Sequence, residues 1–231
     1  MIYNYINSKF PQIFEKFVQF ILQQQIAKDF KPNNYTYFLS PNLINNWGST
    51  HSEYLELKQK EYNNSTVEHL RYYAGWFYYS INLFLRTGKD KFNQTEGLEY
   101  IIRRVNGIND EIHKFSLDEN IVVVRRISNS FLRNYLLNGK RLKKGIIISD
   151  KAFLSTSIDL SYRKNLNSDH KPLNRETLIF IKVPKGCNCL YIESVSKREE
   201  YELLLPTNLN LVIEEKYKIL NNYVFFSKVQ L

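Results

Sequence analysis

The segment SKREEYELLLP, residues 196–206, sets a cluster of glutamates directly before an apolar run. Burying a carboxylate without a partner costs several kcal/mol, so cores normally exclude it. If EEYELLL is one strand, alternation puts Glu200, Glu202 and Leu204 on one face. Tyr201, Leu203 and Leu205 take the other, with Glu199. Two adjacent carboxylates can stabilise a developing positive charge and accept a proton from a nucleophile. Two more polar features stand upstream. Arg125 and Arg126 follow IVVV, and FLSTS places Ser155, Thr156 and Ser157 at the end of a strand. Each alone has an ordinary structural reading: an edge arginine, a polar strand end, a solvated acidic start.

These segments lie in the second of two differently patterned halves. In the first half, PQIFEKFVQFILQQQIAKDF repeats apolar residues every three or four positions and predicts an amphipathic helix from near Pro11. KPNNYTYFLSPNLINNWGST is rich in turn formers and predicts a loop, with a helix following from about Ser52. STVEHLRYYAGWFYYSINLFLRTG opens on a Ser65-x-x-Glu68 capping-box pattern and closes at Gly88. GLEYIIRRVNGINDEIHKF predicts a further helix, interrupted or ended near Gly107. From Asn120 the period becomes strand-like in NIVVVRRI, AFLSTSI, TLIFIKVP, CLYIES, YELLLP, LVIEEKYKI and YVFFSKVQL. Helices first and strands after, without βαβ alternation, predict an α+β domain. The expected division is an N-terminal helix and loop over 1–50, packed on the core, then a catalytic unit over 51–231. Within that unit, helices occupy 51–118 and the β-core 119–231.

Composition narrows the class. At 43% hydrophobic and 15% aromatic residues, the chain has the apolar material for a core that disordered chains lack. A net charge of +9 favours anionic ligands, but the densest basic cluster, GKRLKKG at 139–145, is too short for a nucleic-acid arm. Cys187 and Cys189, two apart in KGCNCLYI, have poor disulfide geometry. The four histidines show no spacing that pairs with them, so no metal site is expected. No apolar run approaches the roughly 20 residues that span a bilayer, and no secretory signal is visible. The expected place of action is a cytosol, the chain's own or a host's after Sec-independent delivery. Neither GxGxxG nor GxxxxGK[ST] occurs, so a dinucleotide has no Rossmann turn or P-loop to rest on.

The order VVVRR, FLSTS, EYELLLP resembles the arginine / Ser-Thr-Ser / Glu-x-Glu class of mono-ADP-ribosyltransferases, the exoenzyme toxin and effector family. YYAGWFYYSINLFL is similar to that family's helix of form Y-x-x-G-x-Y-x-x-I-N-x-x-L, with Tyr73, Tyr78, Ile81, Asn82 and Leu85 in step. The resemblance covers about 52–231. It implies a helical lobe followed by a mainly antiparallel two-sheet β-core, and NAD as co-substrate without a metal.

By the same resemblance, Glu202 is the catalytic glutamate, facing the positive charge that develops on the ribose as the nicotinamide bond breaks. Ser155 holds that carboxylate ionised and in place, and Arg125 clamps the phosphate or ribose region. Arg126 and Thr156 are carried over as NAD-binding, as are Tyr78 and Asn82, which share a helix face at i, i+4. Tyr162 is the candidate for stacking on nicotinamide. Glu200 orients or deprotonates the acceptor, and a glutamate there implies an arginine of a protein target, whereas glutamine accompanies asparagine-modifying members. Two departures stand out. ESVSKRE lacks the aromatic that many members use to grip their target, with Ser196 and Lys197 near that place. TLIFIKVP carries Phe180 where relatives have a basic residue, leaving Lys182 as the nearest cation. A basic nucleic-acid-binding module is the alternative function, predicting steep salt dependence and indifference to the glutamates. A two-carboxylate glycosidase fits less well, because both glutamates lie on one side of a substrate rather than flanking the bond.

Overall fold

The computed structural model describes residues 2–29, 35–61, 64–89, 95–161, 176–196, 198–219 and 221–231. Helices come first: α1 (Ile2–Asp29), α2 (Pro41–Lys60), α3 (Ser65–Tyr72), α4 (Tyr78–Thr87) and α5 (Thr95–Ile112), with the short strand β1 (Thr36–Tyr37) after α1. The β-rich half holds β2 (Ile121–Ser128), β3 (Ile147–Asp150), β4 (Leu154–Ser157), β5 (Glu176–Val183), β6 (Leu190–Tyr191), β7 (Glu202–Leu205), β8 (Leu209–Ile219) and β9 (Asn222–Gln230). Two short helices interrupt it, α6 (Asn129–Phe131), which continues as a π turn over Leu132–Leu137, and α7 (Glu193–Ser196). The architecture is α+β.

The strands run in the order β3-β8-β9-β5-β2-β4-β7-β6, with β1 added against β2. Pairing is antiparallel except for β5 with β9 and β1 with β2. Two segments of sheet, β3-β8-β9-β5-β2 and β4-β7-β6, meet at the single pair Val124↔Ser157. The two expected sheets are thus one sheet with a one-pair seam, with Arg125 and Arg126 on one side of it and Ser155 and Glu202 on the other.

The strands are apolar on both faces because both faces are covered. Ile121, Val123, Ile179, Ile181 and Phe225 join a core with α2 and the α6 segment. Their alternating neighbours Val122, Val124, Leu178, Phe180, Val224 and Phe226 pack against Phe14, Val18, Ile21 and Leu22 of α1. This double burial turns the expected polar/apolar alternation into continuous runs such as IVVV. A third core lies within the helical lobe, where Leu70, Ile81, Ile101, Ile108 and Ile112 meet Leu190 and Leu204.

Several sequence expectations are corrected here. α1 reaches back to Ile2, so Pro11 stands inside it, where a proline removes one helical hydrogen bond and crowds the carbonyl of the preceding turn. α2 begins at Pro41 rather than near Ser52. Ser40 caps it, accepting from the Leu43 amide with Pro41 in the first turn, so a serine–proline pair that reads as a turn is a helix start. The cap of α3 is Asn64, whose side chain accepts from the Thr66 and Val67 amides. The helix after it breaks: Tyr73–Phe77 form a π turn, and Gly75 leaves helical geometry at φ −76, ψ −129. Gly88 ends α4 in the left-handed conformation, as expected.

α5 runs unbroken through Gly107. The glycine is there for clearance, since a Cβ would stand 2.1 Å from Cδ2 of His69. Gly107→Ala should therefore force α3 and α5 apart and destabilise the protein by about 1–3 kcal/mol, read as a lowered midpoint in thermal or urea unfolding.

Candidate active site

A cleft of about 800 Å³ opens between α4 and the sheet seam, and it is bordered by Tyr78, Asn82, Arg125, Arg126, Ser155, Thr156, Glu200 and Glu202. Its volume suits a dinucleotide-sized ligand. Tyr162 and Lys197 lie outside the described residues.

Antiparallel pairing of β4 with β7 builds the centre. Ser157 lies opposite Glu202, and Ser155 opposite Leu204. The Ser155 hydroxyl donates to Glu202 Oε1 at 2.5 Å. Glu202 is 4% exposed, and its Oε2 is buried without a partner. Burial pushes its pKa up to about 7, opposed by the Ser155 hydrogen bond and reinforced by the nearby Glu200 charge. The other two residues of the triplet hold backbone. Thr156 donates to the Leu203 carbonyl at 2.7 Å, and Ser157 to the Glu200 carbonyl at 2.6 Å.

Glu200 is not placed by strand alternation. β7 begins only at Glu202, and Glu199 and Tyr201 both have positive φ, 54° and 51°. Left-handed backbone costs a non-glycine residue roughly 1–2 kcal/mol, so two such residues need outside support. Ser157 holds the Glu200 carbonyl, and the Ile158 amide donates to the Tyr201 carbonyl at 3.1 Å. The bend turns Glu200 to the cleft, while Glu199 is exposed. Burial raises the pKa of Glu200 as well, against a lowering from Arg198.

Arg125 lies 11% exposed with its Nη2 at 3.8 Å from Asp150 and its Nη1 buried without a partner. Burial lowers its pKa and Asp150 opposes that; a guanidinium keeps its charge regardless. Arg126 is held by a fork to Glu176, at 2.6 and 2.7 Å. On α4, the amide of Asn82 donates to the Tyr73 hydroxyl at 3.0 Å, while Asn82 Oδ1 is buried without a partner. Tyr78 is 48% exposed at the rim.

Sequence reasoning missed Arg86 and Asp150. Arg86 grips Asp150 with two bonds of 2.8 Å, and the Arg86 and Arg125 guanidinium groups lie 4.7 and 5.6 Å from the Phe131 ring centre. Tyr78, Asn82 and Arg86 recur at four-residue spacing along α4, a stripe that could have revealed the arginine. Asp150 ends β3, a strand with no expectation behind it, and Phe131 belongs to a helical segment also unforeseen. Lys182 is a correction. It is buried away from this cleft, bonded to Asp29 at 2.8 Å and paired with Glu214 at 2.9 Å. Phe180 stacks on Phe226 in the core under α1. The Cys187 and Cys189 thiols are buried, their pKa values raised to about 11 and about 12 by desolvation.

The sequence model described as ADP-ribosyltransferase exoenzyme matches residues 44–224. The chain belongs to that family. A search of curated proteins gives no match. Among solved structures, this transferase is similar to the C3 exoenzyme of Clostridium limosum, with 19% identity, a TM-score of 0.65, and 86% of this chain and 98% of that one covered. Plx2a, an ADP-ribosyltransferase toxin from Paenibacillus larvae, aligns at 18% identity and TM-score 0.63 over 85% and 100% of the two chains. C3stau2 of S. aureus, solved with NAD, aligns at 17% identity and TM-score 0.62 over 85% and 98%. At these identities the alignments establish the fold.

The protein is accordingly an NAD-dependent ADP-ribosyltransferase. The cleft suits that co-substrate. Its unpartnered buried atoms are a cationic donor, Arg125 Nη1, and two acceptors, Asn82 Oδ1 and Glu202 Oε2. A ligand carrying phosphates and ribose hydroxyls supplies the complement of each. Among the described residues, no helix is long and apolar enough to cross a membrane.

Proposed function

We propose that this transferase modifies an arginine side chain of a protein, releasing nicotinamide. The carrying observation is a second carboxylate, Glu200, bordering the same cleft as Glu202. NAD supplies the ADP-ribosyl group. Glu202, fixed through Oε1 by Ser155, presents Oε2 to the positive charge that grows on the ribose. Arg125 holds the phosphate side by its unpartnered donor, with Arg86 beside it, both anchored on Asp150. Asn82 and Tyr78 line the helical wall, with Arg126 and Thr156 toward the sheet. Glu200 receives the acceptor. A guanidinium is a poor nucleophile while fully protonated, and a carboxylate whose pKa is raised by burial both attracts it and takes up a proton. The relatives named above include toxins, so the proposed acceptor belongs to a host protein in the cytosol.

Incubation with labelled NAD and cell lysate, followed by mass spectrometry of the modified residue, tests the acceptor; modification of asparagine instead of arginine overturns it. Glu200→Gln should lower transfer roughly 100-fold, the scale of a lost general base, while lowering NAD glycohydrolysis much less. Equal losses in the two assays would remove Glu200 from the acceptor step. The nucleic-acid-binding reading has less support, because Arg86 and Arg126 of the cleft are gripped by Asp150 and Glu176.

A further inference from the structure

The bend that carries Glu200 is tied to the helical lobe by one side chain. Arg198 donates from Nη2 to the Gly75 carbonyl at 2.7 Å, and its guanidinium stands 5.7 Å from the Tyr78 ring centre. Gly75 is the residue that leaves helical geometry between α3 and α4. That departure takes its carbonyl out of the regular helical ladder and makes it available to a partner distant in sequence. The contact crosses the mouth of the cleft, joining the wall that bears Tyr78 and Asn82 to the loop that bears Glu200.

We infer that Arg198 is a positioning residue for Glu200, and that the helix break at Gly75 serves as its anchor. The bend needs such a tie. Left-handed residues on both sides of Glu200 favour relaxation toward extended backbone, which would leave the carboxylate on the cleft side but shift it from the place the bend gives it. Ser157 and the Ile158 amide hold the far side of the bend through the carbonyls of Glu200 and Tyr201. Arg198 holds the near side. Two residues before Glu200, its guanidinium takes a place on the cleft wall beside that carboxylate. Its charge also acts on the site. Around Glu200 the charged neighbours are Arg198, which favours the ionised form, and Glu193, which opposes it. Arg198 lowers the pKa of Glu202 as well, where Glu200 and Glu193 raise it. The tie therefore keeps the acceptor-facing carboxylate both aimed and charged.

The inference rests on the transferase reading and on Glu200 acting in the acceptor step, and it holds for an acceptor of any residue type. The test compares Arg198→Ala, Arg198→Gln and Arg198→Lys with the wild type. The readouts are transfer, NAD glycohydrolysis, their pH profiles, and amide hydrogen exchange at 198–202 in the protein without NAD. Displacing a positioned group by about 1 Å costs on the order of 100-fold. Arg198→Ala should thus lower transfer 10- to 100-fold more than glycohydrolysis. It should also speed exchange in the bend and move the acid limb of the transfer profile to higher pH. Arg198→Gln, which keeps a donor for Gly75 but no charge, should regain slow exchange and keep the shifted limb; Arg198→Lys should keep the limb near its wild-type place. Equal loss of both activities, or unchanged transfer with unchanged exchange in Arg198→Ala, would overturn the inference. A wild-type protein that modifies asparagine would refute the arginine acceptor and leave this comparison readable.

Discussion

Glu202→Gln should abolish catalysis and at the same time stabilise the fold at neutral and alkaline pH. The amide keeps the shape of the side chain and can still accept from Ser155, but it brings no negative charge to the ribose. Loss of a charge-stabilising group in a buried site costs at least 10²–10³ in rate by analogy with oxyanion-hole deletions, so transfer and glycohydrolysis should each fall roughly 1,000-fold. The stability effect follows from the raised pKa. In the unfolded chain the carboxyl titrates near its ordinary 4.5, and in the folded protein near 7. Between these values the folded state binds the proton and the unfolded state releases it. Stability is therefore undiminished below about pH 4.5, falls as pH rises, and reaches its full loss above about 7, where the deficit amounts to about 3 kcal/mol. Glu202→Gln has no proton to lose. Urea unfolding should show variant and wild type alike near pH 4.5 and the variant more stable near pH 8, whereas a gap constant with pH would refute the assignment. The same titration predicts wild-type activity rising with pH through about 7, as free protein acquires the ionised carboxylate.

Arg125→Lys should weaken NAD binding by roughly 30- to 150-fold, the scale of a lost charge-assisted hydrogen bond of about 2–3 kcal/mol. Lysine preserves the charge but offers a point donor in place of a planar fork. It cannot both face Asp150 and present a second donor from the position of the unpartnered Nη1. The fold should survive, since Asp150 keeps its two bonds to Arg86. Calorimetric titration of NAD into Glu202→Gln, with and without Arg125→Lys, measures the difference free of turnover. Arg126→Lys is the control. Its fork is spent on Glu176, so a loss as large as that of Arg125→Lys would contradict the distinct roles of the two arginines.

How far the site was legible depended on whether the relevant contact was local. The triplet on β4, the arginine pair on β2 and Glu202 on β7 all lie in segments with strong strand patterns, and pairing between those strands brings them together. Glu200 borders the cleft with Glu202, but it is not the strand residue that the sequence reading made it. Alternation gives the same side for both, but the bend through Glu199 and Tyr201 is what puts it there. Arg86 had no sequence reading behind it: a basic residue in the last turn of a helix is common beside the C-terminal dipole. Only folding showed it gripping Asp150. Lys182 looked like the nearest cation for phosphate, yet it is bonded to Asp29, 153 residues away on α1, and does not border the cleft.

The sequence by itself determined the α+β order and showed the family's three motif segments, because periodicity and motif spacing report contacts a few residues apart. It also placed Ser155 and Glu202 on strands able to pair. The tertiary structure brought the hydroxyl named by the resemblance to the carboxylate and gave its two neighbours other partners. Ser155 reaches Glu202 across 47 residues, while Thr156 and Ser157 are taken by backbone carbonyls. It decided too that Gly75 should break a helix and offer its carbonyl to Arg198, 123 residues on. Such choices depend on which buried polar groups find partners once the chain has closed on itself, and local sequence carries no record of that competition.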